Sequence, residues 1–182
     1  ISDRREAVYA KDLTIRYPIR LCFDGSKIRV RFSNLTGTED VKIEKAFADN
    51  VQLKQRGQTP ITIPAGKEIT TDEIDFDAKA GQTVNISFYL KECTQMNAGT
   101  LVTGPLSGGT YAYGNFAEAE EFPEDFCRPT SWYYFLNTVD ILTEEKNRAL
   151  CCYGDSITAQ DWPDYLQKEL DQRGIKDIAV IR

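Results

Sequence analysis

The chain has 182 residues and contains no histidine. A serine hydroxyl becomes an effective nucleophile only when a base removes its proton, and histidine most often serves as that base. Structural zinc sites use histidine or closely spaced cysteine pairs. No Cys-x-x-Cys pair is present, so the sequence argues against a structural zinc site, and we expect no metal.

The chain also lacks a regular cysteine framework. An odd number of cysteines without even spacing does not indicate a disulfide-stabilised fold. The five are Cys22, Cys93, Cys127, Cys151 and Cys152. We therefore expect a reducing compartment and favour the cytoplasm. Secretion stays open, because the chain begins with Ile1 and not with Met, and a leader could have been removed.

Long apolar runs and excess positive charge are absent as well. No apolar stretch approaches the roughly 20 residues of a transmembrane helix. The chain has 22 Lys and Arg against 28 Asp and Glu, a net charge of −6. This balance argues against nucleic acid or an anionic membrane surface as the main partner. Hydrophobic content of 41% and charged content of 27% are those of a globular protein.

Residues 12–142 contain short segments in which polar and apolar residues alternate, separated by turn residues. Alternation of this kind predicts strands with one buried face. The clearest segments are 27–32, 61–63, 69–76, 84–90 and 132–141. Many short strands separated by turns are typical of a β-sandwich or a jelly roll.

The stretch 94–131 is rich in Gly, Thr, Ser and Pro and carries an acidic run at 118–125. We expect a long surface connection there, with one strand near Thr110 to Tyr113. The polar segment 144–147 is a suitable boundary. It divides the chain into a β-sandwich at 1–146 and a second unit at 147–182.

The aromatic run Trp132-Tyr133-Tyr134-Phe135 has two interpretations. Alternate residues of a strand face opposite sides, so about half of these rings should pack in the core. The others could stack against a sugar. Both possibilities remain open at this point.

After the boundary the pattern becomes strand, helix, strand. Residues 148–153 and 178–181 form short apolar runs typical of buried strands. Between them, Asp161 can cap a helix, Pro163 is tolerated in its first turn, and Gly174 ends it. Trp162, Tyr165, Leu166 and Leu170 would share its apolar face. This order predicts a βαβ unit of a parallel sheet.

Ser156 lies in the tight turn that joins the first of these strands to the helix, within Tyr153-Gly154-Asp155-Ser156-Ile157-Thr158. Such a turn can expose a nucleophilic hydroxyl, and its backbone N–H groups can stabilise an oxyanion. Gly154 would allow the sharp turn, and the Asp155 side chain would hold its shape. The alternative is an ordinary βα loop with a capping residue.

This motif resembles the first motif of the GDSL, or SGNH, hydrolase family. Segments 28–39, 61–66 and 132–140 resemble the N-terminal β-domain found in one bacterial branch of that family. The resemblance covers residues from about 12 to the end. It implies a β-sandwich followed by the start of a flavodoxin-like α/β/α domain.

The resemblance also implies roles for individual residues. Ser156 matches the family's nucleophile, and its backbone N–H would be one oxyanion donor. The family's other donors, a Gly and an Asn, and its Asp-x-x-His base have no counterpart in this sequence. We therefore expect an incomplete catalytic domain, a cleavage or truncation after Arg182, and a separate or missing remainder.

Together these observations favour a serine esterase that removes small acyl groups, acetyl above all, from carbohydrate. Ser156 would form the acyl-enzyme, and a histidine outside this chain would act as the base. Trp162 either borders the pocket or anchors the helix to the sheet. No metal or organic cofactor is implied. The alternative is a carbohydrate-binding or interaction module in which the serine segment is vestigial.

Overall fold

A computed structural model of the protein describes residues 8–182. Strands make up 46% of it and helix 6%, so the protein is β-rich. In chain order the strands are β1 Tyr9–Ala10, β2 Leu13–Arg20, β3 Gly25–Ser33, β4 Val41–Ile43, β5 Lys45–Ala48, β6 Val51–Gln52, β7 Ile61–Ile63, β8 Glu68–Thr70, β9 Ile74–Ala78, β10 Thr83–Leu90, β11 Thr94–Gln95, β12 Gly99–Leu101, β13 Gly109–Tyr113, β14 Arg128–Thr130, β15 Trp132–Tyr134, β16 Leu136–Leu142, β17 Arg148–Cys151 and β18 Ile178–Ile181. The helix is α1, Trp162–Gln172.

The largest sheet has six strands in the order β14-β13-β2-β10-β5-β6, and all its pairings are antiparallel. At its centre β2 and β10 pair along their full length, with Ile15 opposite Phe88. A second sheet is built on β3, which pairs with β16, β8 and β9. Alternate β3 residues Ile28, Val30 and Phe32 are buried, as their spacing predicts.

The two sheets contribute to one buried cluster. Phe88 of β10 lies edge-on to Phe32 of β3, with ring centroids 5.6 Å apart at 80°. Tyr17 of β2 is fully buried, and its hydroxyl donates to the Trp132 carbonyl and accepts from the Tyr134 N–H, both at 2.8 Å. Tyr17 therefore ties strand β15 to the centre of the large sheet.

The expectation of a long surface connection at 94–131 was only partly right. Strand β13 lies where one was predicted, but β11, β12 and β14 also fall in this stretch. The acidic loop is held by Arg16, whose guanidinium donates to the carbonyls of Ala119 and Glu120 and lies 4.7 Å from the Phe122 ring centroid. These contacts join residues about 100 positions apart, so local composition could not predict them.

A single strand at 132–141 was also expected, and the structure contains two. Phe135 separates β15 from β16 and has a φ of 60°. Its ring is 2% exposed, and its N–H donates to the Ala98 carbonyl. Burial of this ring therefore accompanies the break between the strands.

Residues 148–181 form the predicted strand–helix–strand arrangement. Strands β17 and β18 pair in parallel, with Leu150 opposite Val180, and α1 connects them. The helix ends as expected: Gly174 has a φ of 73°, and the Ile175 N–H donates to the Leu170 carbonyl.

The prediction that both strands are buried was wrong for β17 and only partly right for β18, in which Ala179 is buried and Ile178 and Val180 are half-buried. All four residues of β17 are exposed, and Leu150 and Ile181 each keep 45% of their surface accessible. A parallel sheet is normally covered on both faces. Within residues 8–182, one helix and one neighbouring strand do not provide that cover.

The predicted buried face of α1 was wrong for a related reason. Trp162 and Tyr165 are 43% and 57% exposed, whereas Pro163, Asp164 and Gln167 are buried. The helix turns this more polar side towards the β-rich part of the chain. Its apolar side packs into neither buried cluster of the described residues.

Residues 143–147 contain neither strand nor helix. The division of the chain into 1–146 and 147–182 stays a prediction. Among residues 8–182 there is no helix with the length and the apolar character needed to cross a bilayer.

Candidate active site

The turn after β17 is built from short-range backbone hydrogen bonds. The N–H groups of Thr158 and Ala159 both donate to the Asp155 carbonyl, at 3.0 and 3.3 Å. The Gln160 N–H donates to the Ile157 carbonyl at 3.2 Å. Residues 155–160 therefore form one tight turn of their own, which comes before helix α1.

Ser156 is exposed at the tip of this turn. Neither its hydroxyl nor its backbone N–H hydrogen-bonds to any of residues 8–182. The hydroxyl is thus accessible to an electrophile, and the N–H remains available to an oxyanion. A donor of this kind stabilises the charge that develops in acyl transfer.

Asp155 has the shaping role that the sequence suggested. Its Oδ1 accepts a hydrogen bond of 2.9 Å from the Ile157 N–H, which closes the loop across Ser156. Its own carbonyl accepts the two bonds already described. The Asp155 carboxylate is therefore engaged with the backbone of the turn.

Gly154 is required by the space around it. A Cβ atom at this position would collide with the Thr158 Oγ1. The turn folds back so that Thr158 lies against the Gly154 backbone. A side chain at position 154 would therefore force the Thr158 side chain to move.

Helix α1 begins six residues after Ser156, and Asp161 does not cap it in the expected way. The Asp161 side chain makes no capping hydrogen bond. Its Oδ1 instead accepts a hydrogen bond of 2.8 Å from the Thr103 hydroxyl, in the loop that follows β12. This long-range partner competed with the local cap. Pro163 lies in the first turn of the helix, as predicted.

The same loop supports the serine turn. The Thr103 N–H donates to the Ala159 carbonyl at 3.0 Å. Arg182 adds a second support, because its guanidinium donates to the Gln160 carbonyl at 2.8 Å and to the Thr103 carbonyl at 3.3 Å. The β-rich region therefore contributes directly to the position of the turn that carries Ser156.

Asp164 is the centre of this connection, and its side chain is only 11% exposed. Its Oδ2 accepts from the Leu106 N–H at 2.8 Å and from the Ser107 hydroxyl at 2.9 Å. Its Oδ1 pairs with Arg182 at 3.0 Å, and Arg182 also donates to the Ser107 Oγ at 2.7 Å. We call Asp164, Arg182, Ser107 and Leu106 the Asp164 latch.

Gly104 makes the latch possible. A Cβ atom there would collide with the Asp164 carboxylate, and the residue has a φ of 149°. The loop can approach the helix this closely because position 104 has no side chain.

A second ion pair joins the helix to β2. Arg20 pairs with Asp171 at 2.7 Å, and the two side chains are 22% and 29% exposed. A cavity of about 290 Å³ lies between the two contacts, bordered by Leu106, Tyr133 and Val180 among others. Burial raises the pKa of Tyr133, whose hydroxyl donates to the Gly108 carbonyl. Ser156 is not among the residues that line this cavity.

The remaining observations on the site concern Trp162, Cys152 and metal binding. Trp162 is 43% exposed and belongs to neither buried cluster of the described residues, so its role as a helix anchor or at a pocket stays a prediction. Burial raises the pKa of the Cys152 thiol, which follows β17. No cluster of three or more His, Cys, Asp or Glu side chains suited to a metal occurs between residues 8 and 182.

Comparison with known proteins leaves the resemblance to the SGNH family without independent support. The chain matches no family model and no curated protein sequence.

Sequence reasoning missed the residues that hold the serine turn in place. Thr103, Asp164 and Arg182 are far apart along the chain, and none belongs to a recognisable motif. No signal for Asp164 was present in the sequence, because its burial together with Pro163 and Gln167 is visible only in the structure. A buried carboxylate requires a partner.

Proposed function

We propose that Ser156 is the nucleophile of a serine ester hydrolase that acts on small acyl esters, with acetylated carbohydrate as the expected substrate class. A base removes the proton of the hydroxyl as its oxygen attacks the ester carbonyl, and the protonated base then gives this proton to the leaving alcohol oxygen, which leaves an acyl-enzyme. Water then attacks the acyl-enzyme and releases the acid. The Ser156 N–H donates to the oxyanion in both steps.

The observation that carries this proposal is the exposed Ser156 at the end of a parallel strand, with its N–H uncommitted among residues 8–182. Two further features support it. Gly154 has room only for hydrogen, and Asp155 is used to shape the turn.

In this proposal the base is a histidine outside residues 1–182, because this sequence contains none. The apolar surface of β17, β18 and α1 supports an additional covering segment. Leu150, Ile181, Trp162 and Tyr165 are all 43–57% exposed on these elements. Exposed apolar surface of this kind usually marks an interface.

In this proposal, the β-rich region is a jelly-roll-like β-sandwich and residues 147–182 begin a flavodoxin-like α/β/α domain. The covering segment supplies further parallel strands, helices and the histidine. All five cysteines are unpaired, which supports a reducing compartment such as the cytoplasm.

A fluorophosphonate probe tests the proposal, because it reacts with an activated serine. The protein is isolated from its natural source under native conditions, labelled, and analysed by native and then denaturing mass spectrometry. We expect an assembly heavier than the 20.6 kDa chain, with a histidine-containing segment and the label on Ser156. The 182-residue chain alone should label only at background level.

Two serine variants provide the control. Ser156→Ala should abolish labelling and acetyl-ester hydrolysis by the assembly. Ser26→Ala removes another exposed serine, on β3, and should change neither. Labelling of the intact assembly at a different residue, or full ester hydrolysis by Ser156→Ala, would show that the proposal is wrong.

A further inference from the structure

The cavity of about 290 Å³ between helix α1 and the β-rich region is bordered by a positive group with an unused donor. Arg20 of β2 lines this cavity, and its Nη2 pairs with Asp171 of α1 at 2.7 Å. The other terminal nitrogen of Arg20, Nη1, is buried and makes no hydrogen bond with any of residues 8–182. A buried donor without an acceptor is costly, because it has lost water and gained no partner. An acceptor bound in the cavity would remove this cost.

The other charged side chains among the described residues that line the cavity neutralise each other. Arg182 donates to the Asp164 carboxylate at 3.0 Å and to the Ser107 Oγ at 2.7 Å. Burial raises the pKa of the Cys22 thiol, and the nearby Arg20 charge offsets this only in part, so the thiol is neutral at pH 7. Arg20 therefore offers a buried donor to which no negative charge within the cavity is already committed.

The walls of the cavity are held in place on both sides. Tyr133 stacks on Tyr17 with ring centroids 4.5 Å apart, and its hydroxyl accepts from the Gly108 N–H at 2.8 Å. In the β15 aromatic run, Tyr133 thus packs against the core, as part of that run was expected to do. On the helix side, the Gln167 Oε1 accepts from the Val180 N–H at 2.8 Å. Walls fixed in this way are typical of a site that is formed before its ligand binds.

The size and the lining of the cavity favour a small ligand with an apolar part. Its volume lies just below the roughly 300–1,000 Å³ of common small-molecule sites. Ile19, Val102 and Leu136 contribute apolar surface to the lining. Water could accept from Arg20, but a ligand with a short alkyl chain also removes this apolar surface from water. A phosphate dianion is a poor match, because the second guanidinium at the cavity, that of Arg182, is already paired with a carboxylate.

We propose that this cavity binds a short-chain monocarboxylate, whose oxygen accepts a hydrogen bond from the Arg20 Nη1 while its alkyl chain lies against Ile19, Val102 and Leu136. A hydrogen bond between two charged groups is stronger than one between neutral groups. The site goes beyond the proposed ester hydrolysis and does not use Ser156, which does not line the cavity.

A nuclear magnetic resonance titration of the ¹⁵N-labelled chain at pH 7 and constant ionic strength tests the proposal. The probes are acetate, butyrate, hexanoate and dodecanoate, with inorganic phosphate as a second anion and butyramide as the neutral analogue of butyrate. We expect saturable shifts of the Val180 and Gly108 amide signals, because both amides hydrogen-bond to side chains that line the cavity. Affinity should rise by about 4-fold per buried CH₂ from acetate to butyrate. Dodecanoate should be too long to bind.

Two variants separate recognition by Arg20 from its contact with the helix. Arg20→Met removes the donor and should weaken butyrate binding by roughly 10- to 100-fold, as expected for a hydrogen bond between charged groups. Asp171→Asn is the matched control, because it breaks the same ion pair but keeps the Arg20 Nη1. The amide oxygen of this variant can still accept from the Gln167 Nε2, which now lies 3.0 Å from the Asp171 Oδ1. Asp171→Asn should bind butyrate at least as tightly as the unchanged protein, since a competing negative charge is gone.

Four results would overturn the proposal: no saturable shift with any acid, equal affinity for butyramide and butyrate, binding of phosphate alone, or equal weakening by Arg20→Met and Asp171→Asn. The last result would mean that Arg20 only holds the helix. The comparison of butyramide with butyrate uses the unchanged protein, so it does not depend on how either variant folds. Ser156→Ala should bind butyrate as tightly as the unchanged protein, and a failure of ester hydrolysis would therefore leave acid binding intact.

Discussion

Replacing Asp164 with alanine should uncouple helix α1 from the β-rich region. The carboxylate accepts hydrogen bonds from the Leu106 N–H and the Ser107 hydroxyl and pairs with Arg182. Asp164→Ala removes all three contacts at once. It also leaves the Arg182 guanidinium, whose side chain is only 13% exposed, without its carboxylate.

The size of the effect follows from this burial. Removing one partner of a buried ion pair costs about 3 kcal/mol, because the remaining charge stays desolvated. If the chain unfolds in one transition, this loss lowers its melting temperature by roughly 6–12 °C. Glu169→Ala is the control on the same helix, since it breaks an exposed pair with Arg173 whose side chains are 50% and 69% accessible. That pair should contribute under about 0.5 kcal/mol.

Calorimetry and amide hydrogen exchange measure the two parts of this prediction. Calorimetry reports the overall stability of each variant. Hydrogen exchange should show faster exchange in α1 and in residues 155–160 of Asp164→Ala, while β2 and β10 remain protected. If Asp164→Ala and Glu169→Ala lower stability equally, or if the serine turn exchanges at its normal rate, the Asp164 latch does not hold the turn.

Two more predictions concern the serine turn and the second sheet. Gly154→Ala should speed amide exchange in residues 155–160 by about tenfold, which corresponds to a decrease of ~1.4 kcal/mol in the free energy needed to open the turn. Adding Thr158→Ala should restore much of the protection, because it removes the colliding Oγ1; no restoration would contradict the steric explanation. Burial would raise the pKa of Asp140, but hydrogen bonds from Thr138 and Arg29 outweigh it and lower that pKa. Asp140→Asn should therefore lower the free energy of unfolding by up to about 1 kcal/mol at neutral pH. Since the lowered pKa stabilises the fold only while the carboxylate is charged, the difference between the two proteins in urea titrations should begin to shrink as the pH falls through about 4 and should vanish only below the lowered pKa of Asp140; a difference that does not change with pH would count against the ion pair.

Much of the local structure could be predicted from periodicity and turn residues. The buried positions Ile28, Val30 and Phe32 follow from simple alternation, and Gly174 ends α1 where expected. The roles of Gly154 and Asp155 were also accessible, because a tight turn restricts residues next to each other in sequence. Whether Ser156 is catalytic stays a prediction.

Prediction failed where distant segments compete with local preferences. Asp161 looked like a helix cap, but Thr103 binds its carboxylate. Trp162 and Tyr165 looked like a buried face, yet the helix turns Asp164 and Gln167 inward. In each case a partner roughly 60 or more residues away supplies a hydrogen bond that local sequence does not show.

By itself, the sequence determined the β-rich composition, the alternating core positions, the parallel strand–helix–strand and the exposed serine turn. These features depend on side-chain period and on backbone conformations of neighbouring residues. Only the tertiary structure decided which helix face is buried, how Arg182 and Asp164 meet, and that Arg20 and Tyr133 border the same cavity. Such contacts join residues far apart in the chain, and they contribute to stability only after the sheets have assembled around one core.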